Sequence, residues 1–197
     1  MRNHQLHAVL SLALVLGGAS GVAHAAYPST WFACGASCPA RIPDRNGATN
    51  GQVIVNLAVP AGVCAGSTFA SYAVYVDVQH SHIGDLRITL TSPLAQTVQL
   101  LSPLSAGACA ADDIGAKFRD GADAPPAICG LILIPGVSGV TKPSSPLSAF
   151  GNSATPGIWQ LAVRDESHGA DGQVNNAALI VNCTYSDDIF HDGFEFN

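Results

Sequence analysis

Residues Leu86 to Thr91 read Leu-Arg-Ile-Thr-Leu-Thr, apolar and polar by turns, and the same two-residue period recurs along most of the chain. Ser71 to Gln79 sets Tyr72, Val74, Val76 and Val78 on one side, and Gly157 to Asp165 does the same with Trp159, Leu161 and Val163. Gln52 to Val59, Thr97 to Leu101 and Asn175 to Cys183 are further short runs rich in Val, Leu and Ile. A period of two is the mark of a strand with one face buried and one face wet. No stretch repeats with the helical period. Gly and Pro number 20 and 12, which suits turns and disfavours helix interiors. Short strands joined by Gly/Pro turns predict an all-β fold, a sandwich or a barrel.

Charge excludes some functions. Lys and Arg total 8 against 14 acids, for a formal net charge of -6. A nucleic-acid groove needs clustered cations, so no nucleic-acid partner is expected. Residues 1–25 read as a signal peptide. Arg2 is the positive start, Ala8 to Leu16 the short apolar stretch, and Ala23-His24-Ala25 the cleavage signal. The apolar run is shorter than the roughly 20 residues a spanning helix needs, so no membrane span is expected after cleavage. The chain is expected outside the cytoplasm: extracellular, at the cell surface or periplasmic.

Cys34, Cys38, Cys64, Cys109, Cys129 and Cys183 form an even set behind that signal, which reads as disulfides in an oxidising compartment. Sequence alone leaves every pairing open. The first expectation is Cys109 with Cys129, closing an acidic loop; Cys64 with Cys183 and Cys34 with Cys38 then follow by elimination. The alternative, a zinc site, lacks a second pair at ligand spacing. Residues 26–50 read as an irregular N-terminal segment, 51–184 as the β domain, 102–156 within it as mainly loop, and 185–197 as an acidic, aromatic tail. That tail serves either sorting and display or the packing of its Phe residues.

Two blocks carry a family resemblance. The first runs His80-Ser81-His82-Ile83-Gly84-Asp85-Leu86-Arg87-Ile88-Thr89-Leu90-Thr91-Ser92-Pro93. The second runs Gly157-Ile158-Trp159-Gln160-Leu161-Ala162-Val163-Arg164-Asp165, followed by Asp171-Gly172. Together they resemble the P domain, or P/Homo B domain, which accompanies the catalytic domain of subtilisin-like proprotein convertases. The resemblance covers roughly Gly51 to Cys183. It implies a jelly-roll-type antiparallel β-sandwich, here stapled by disulfides. It also implies motif roles for His80, Asp85, Trp159 and Asp165, and an accessory, non-catalytic task beside a protease. The sequence departs from the family after Pro93, where Leu94-Ala95-Gln96 replaces the usual glycine-bearing turn.

The candidates for chemistry are few. Gly151-Asn152-Ser153 superficially resembles the turn around a subtilase nucleophile, but a triad needs a base and an acid in one constellation. The His- and Asp-bearing subtilase segments are missing. His80 and His82, two apart on a strand, have the spacing of a transition-metal pair; the competing reading is a strand end held by hydrogen bonds. Two acidic loops offer Asp112, Asp113 and Asp165 as ligands for a structural calcium, against plain solvated loops. The leading reading is an exported non-catalytic module, binding or stabilising a secreted subtilisin-like protease. The alternative is a surface or matrix domain binding glycan or protein, which a row of exposed Tyr and Trp on one sheet would favour. A hydrolase with an unrecognised site ranks last.

Overall fold

The computed structural model describes residues 29–103, 111–123 and 135–184. The proposed signal peptide, the C-terminal tail and the Cys109–Cys129 pair lie outside them. Among the described residues ten strands build two sheets: β1 Ser29–Ala33, β2 Ala40–Ile42, β3 Gly51–Val59, β4 Thr68–His80, β5 Leu86–Thr91, β6 Thr97–Leu101, β7 Ile114–Phe118, β8 Val137–Thr141, β9 Gly157–Asp165 and β10 Gly172–Thr184. Among the described residues the only helical pieces are short 3-10 turns at Gly35–Ser37, Ile83–Asp85 and Leu147–Phe150. The fold is the expected all-β sandwich of jelly-roll type.

One sheet runs β1-β10-β4-β7-β8, with β2 also paired to β10, and the other runs β3-β9-β5-β6. Nearly every pairing is antiparallel; β7 with β8 is the parallel exception. The alternation read from sequence points inward as expected. Tyr72, Val74, Val76 and Val78 of β4 are buried, as are Leu86, Ile88 and Leu90 of β5 and Trp159, Leu161 and Val163 of β9. These side chains form the core between the sheets.

Residues 26–50 and 102–156 hold more strand than their sequence predicts. β1 and β2 lie on the first and β7 and β8 on the second. β1 has no buried face to alternate about: its five residues are exposed or half-buried, and it is held by pairing with β10. In β8, Gly139 stands at φ 72° and breaks the two-residue pattern. β7 does alternate, burying Ile114, Ala116 and Phe118, but it spans five residues and includes Gly115.

Among the described residues two disulfides are formed, Cys34–Cys38 and Cys64–Cys183. The second ties the loop before β4 to the end of β10, across a sequence separation of 119. In the chain-entropy account, closing so long a loop contributes roughly 5 kcal/mol by restricting the unfolded chain.

The turn after Pro93 shows how the chain copes without the family's glycine. The N–H of Ala95 donates to Ser92 O at 2.9 Å, the N–H of Ser92 to Gln96 O at 2.8 Å, and Ala95 sits at φ 61°. A residue with a Cβ is strained there by about 1 kcal/mol. Ala95→Gly is expected to raise stability by a few tenths to about 1 kcal/mol, part of the relief being offset by the freer unfolded glycine. Urea-unfolding midpoints of the two proteins measure this, and an unchanged or lowered midpoint contradicts the strain.

Candidate functional site

The inward phase of β4 is apolar until its last position, His80, and that of β9 until its last, Asp165. Both side chains are essentially fully buried. Because β4 and β9 belong to different sheets, the two meet across the sandwich, with His80 Nε2 facing Asp165 Oδ2 at 3.4 Å. The other carboxylate oxygen, Oδ1, accepts the N–H of Ser167 at 3.1 Å. The turn after β4 brings the backbone of His82 to the far side of the imidazole, where Nδ1 lies 3.1 Å from His82 N and 3.0 Å from His82 O. That backbone offers a donor to Nδ1 when this nitrogen carries no proton and an acceptor when it does.

Asp113 fixes the strand end itself. Its Oδ1 accepts the N–H of His80 at 2.9 Å, and its own N–H donates to His80 O at 3.0 Å. Gly172 is needed for a related reason. A Cβ there would stand 2.5 Å from Gln79 O and 2.6 Å from the His80 ring, so only glycine admits β10 this close.

Around this buried pair runs an outer ring of polar contacts. Arg87 grips Glu166 with two hydrogen bonds, Nε to Oε1 at 2.7 Å and Nη2 to Oε2 at 3.1 Å. Arg45 Nη1 donates to Glu166 O at 2.8 Å, and the N–H of Glu166 donates to Asp85 O at 3.0 Å. Asp44 caps the N–H of Gly169, and Arg41 pairs with Asp171 at 2.8 Å on the surface. The segment before β3 thus latches onto the loop between β9 and β10.

Burial pushes the Asp165 carboxyl above the ordinary aspartate value, and the Ser167 N–H and His80 only partly oppose this. An acid raised in the folded state binds more protons folded than unfolded. Its contribution is therefore most favourable below the unfolded value and weakens as pH rises through the folded one. Glu166 goes the other way. The Arg87 guanidinium holds it below the usual glutamate range, so its contribution is complete above that range and is lost as pH falls through the folded value.

The residues read as a motif therefore divide between two ends of the sandwich. His80, Asp85 and Asp165 gather at one end. Trp159 anchors the other, six residues back along β9, or roughly 20 Å at strand rise. Its ring lies 5.0 Å from Tyr72 and 4.8 Å from Phe150, and Nε1 donates to Thr155 O at 3.0 Å. Tyr72 Oη donates to Ser153 O and accepts from the N–H of Thr155, both at 2.8 Å. Ser153 is thereby held at the Trp159 end. Tyr72 and His80 are eight residues apart on β4, about 26 Å, so Ser153 does not meet the His–Asp pair.

Asp112, Asp113 and Asp165 do not converge either. Asp113 serves the His80 backbone, and Asp165 faces the His80 ring and the Ser167 amide. Among the described residues no three His, Cys, Asp or Glu side chains gather closely enough to hold a metal ion. His80 points inward, while His82 is exposed with its ring beside Ser81 Oγ at 3.2 Å. Asp120, from the same acidic loop, caps the turn at Leu147–Phe150 through the N–H groups of Leu147 and Ser148.

A family model for the proprotein convertase P-domain matches residues 69–181, more than half the chain. The chain belongs to the proprotein convertase P-domain family. The P domain is an accessory domain rather than a catalytic one. Its matched stretch contains both strands that carry the buried pair, and Tyr72 and Trp159 at the other end. No curated protein sequence matches the chain. Two similar solved structures are the serine protease of Aeromonas sobria (TM-score 0.44, 17% identity over 80% of this chain) and that protease in complex with its chaperone (TM-score 0.45, 16% identity over 82%). This chain covers only 27% and 28% of the length of those two chains.

Sequence reasoning singled out His80 and Asp165 but did not pair them. The signal was present, since each occupies an inward position of a strand otherwise apolar on that face. The roles of Asp113 and of Arg87 with Glu166 had no such signal, because both depend on which loops the fold brings together.

Two outcomes are expected. His80→Ala leaves the buried Asp165 carboxyl without its side-chain partner and costs about 1–3 kcal/mol. His80→Leu with Asp165→Leu, which removes both polar groups, recovers part of that loss in the same unfolding measurement. Glu166→Gln costs below about 1 kcal/mol near neutral pH, since the pair is partly exposed. Its deficit relative to the parent shrinks as pH falls below the folded Glu166 value. A deficit that stays constant down to strongly acid pH removes Arg87 as the cause of the lowered pKa.

Proposed function

We propose that this chain is an exported, non-catalytic P-domain module that binds and stabilises a subtilisin-like serine protease. The observation that carries the reading is the family match over residues 69–181, on a fold in which His80, Asp113, Asp120 and Asp165 make structural contacts. His80 and Asp165 face each other inside the sandwich, closed off by Gly172 and the His82 backbone. Asp113 and Asp120 cap backbone amides, and Ser153 is exposed at the opposite end. None of these placements leaves a nucleophile beside a base. The two disulfides agree with an oxidising compartment, and among the described residues no helix is long and apolar enough to cross a membrane.

A fluorophosphonate probe, which labels active-site serines covalently, tests the module in two ways. The immobilised chain, incubated with the secreted fraction of its own cells, is expected to retain a probe-labelled protease of subtilisin type. The chain itself is expected to stay unlabelled, and Ser153→Ala to change nothing. Retention of no labelled protease overturns the accessory role. Labelling of the chain that disappears in Ser153→Ala overturns its non-catalytic character.

A further inference from the structure

The outer face of the sheet β1-β10-β4-β7-β8 carries an aromatic wall that neither the core nor the buried pair uses. Trp31 on β1 is 52% exposed, a large apolar side chain about half in water. It lies outside the stretch matched by the family. Its neighbour is Tyr75 of β4, with ring centroids 6.0 Å apart at 49°. The sequence makes room for this approach. Trp31 is on β1 and Tyr75 on β4, with β10 between them; Trp31 pairs with Ile180 and Tyr75 with the small Ala178, so the two rings approach diagonally across β10.

Beside Tyr75 opens a cleft of about 320 Å3, lined by Tyr75, Asp77, Gln79, Gly115 and Asn175 among others. Part of its width comes from Gly115, which pairs with Asp77 and presents no side chain to the outer face. The polar groups of the cleft are prearranged. Asn175 Nδ2 donates to Asp77 Oδ1 at 3.3 Å, and Gln173 Nε2 donates to Asn175 Oδ1 at 2.9 Å. On the other side of Tyr75, Lys117 reaches 5.8 Å from the Trp31 centroid, near the outer limit of a cation–π contact and so easily displaced.

A half-exposed Trp31 ring beside the half-buried Tyr75 ring, next to a few placed carboxamide and carboxylate groups, specifies a ligand with two kinds of surface. One face must offer C–H groups to the electron-rich rings, and the edge must offer several hydroxyls that both donate and accept. Net charge is not demanded, because Asp77 and Lys117 flank the cleft with opposite sign. A pyranose ring has that surface. We infer that Trp31, Tyr75, Asp77 and Asn175 form a carbohydrate-binding site that stacks a pyranose unit of a polysaccharide on the rings and holds its hydroxyls in the adjoining cleft. The site goes beyond the protease-accessory role and stands independently of it. It would place the module on a wall or matrix polymer.

The test uses the purified mature chain and insoluble or gel-embedded polymers: cellulose and chitin as neutral pyranose polymers, pectate and alginate as uronate ones. Retention on at least one of them is expected, with Trp31→Ala and Tyr75→Ala each weakening it at least 10-fold and Trp31→Phe keeping part of it. Melting temperatures of the variants serve as the fold control, since Trp31 is paired with the fully buried Ile180, and Trp31→Phe keeps an aromatic ring at that position. Lys117→Gln separates the two ligand sources. Binding that survives it assigns a neutral polymer, and uronate binding that it abolishes assigns an acidic one. Retention on none of the four polymers overturns the inference. So does Trp31→Ala binding as well as the parent, or binding that soluble oligosaccharide fails to compete while a protein competitor succeeds.

Discussion

Two strands from opposite sheets each end their buried face on a polar residue, and the interior has to accommodate both. A lone carboxylate at the end of β9 or a lone imidazole at the end of β4 would be desolvated without recompense. Facing each other at 3.4 Å, each becomes the other's partner. The rest of that end of the sandwich is arranged around them. Asp113 locks the His80 backbone, the His82 backbone meets Nδ1, the Ser167 amide meets Asp165, and Gly172 gives β10 its close passage. A polar pair so enclosed sets the relative register of the two sheets at one end, as the aromatic cluster of Tyr72, Phe150 and Trp159 does at the other.

The same enclosure separates this geometry from a catalytic one. A working His–Asp pair needs a nucleophile within hydrogen-bond reach of the imidazole and room for a substrate. Here both ring nitrogens already have partners inside the protein, and the exposed serine of the Gly151–Thr155 turn is bound through its main chain to Tyr72 at the far end. The triad geometry and the strand-end geometry use the same residue types. What distinguishes them is which atoms remain unengaged and open to solvent.

The N-terminal segment adds what the family stretch does not contain. β1 and β2 pair along one side of β10, Cys34–Cys38 fixes the turn between them, and Arg41, Asp44 and Arg45 reach the loop after β9. β1 also carries Trp31 to the outer face beside Tyr75. The segment thus covers the edge of β10, where unpaired strand would invite association, and contributes an aromatic surface that the family stretch alone would lack.

The central strands were legible from the chain alone because their alternation is a direct consequence of a two-sided environment: core on one face, water on the other. β5, β6 and β9 match their sequence limits, and the Cys34–Cys38 and Cys64–Cys183 bonds match the expected pairs. The buried positions of His80 and Asp165 were implied by the same phase. Edge strands were not legible. β1 has no buried face, and β8 contains a left-handed glycine, so pairing with a neighbour defines them and pairing is a property of the folded whole. The meeting of His80 with Asp165, of Arg87 with Glu166 and of Trp31 with Tyr75 was likewise decided by tertiary structure. Residues on one strand are related by a fixed two-residue pleat, whereas residues on different strands are related only by how the sheets cross, and no local pattern in the chain encodes that distance.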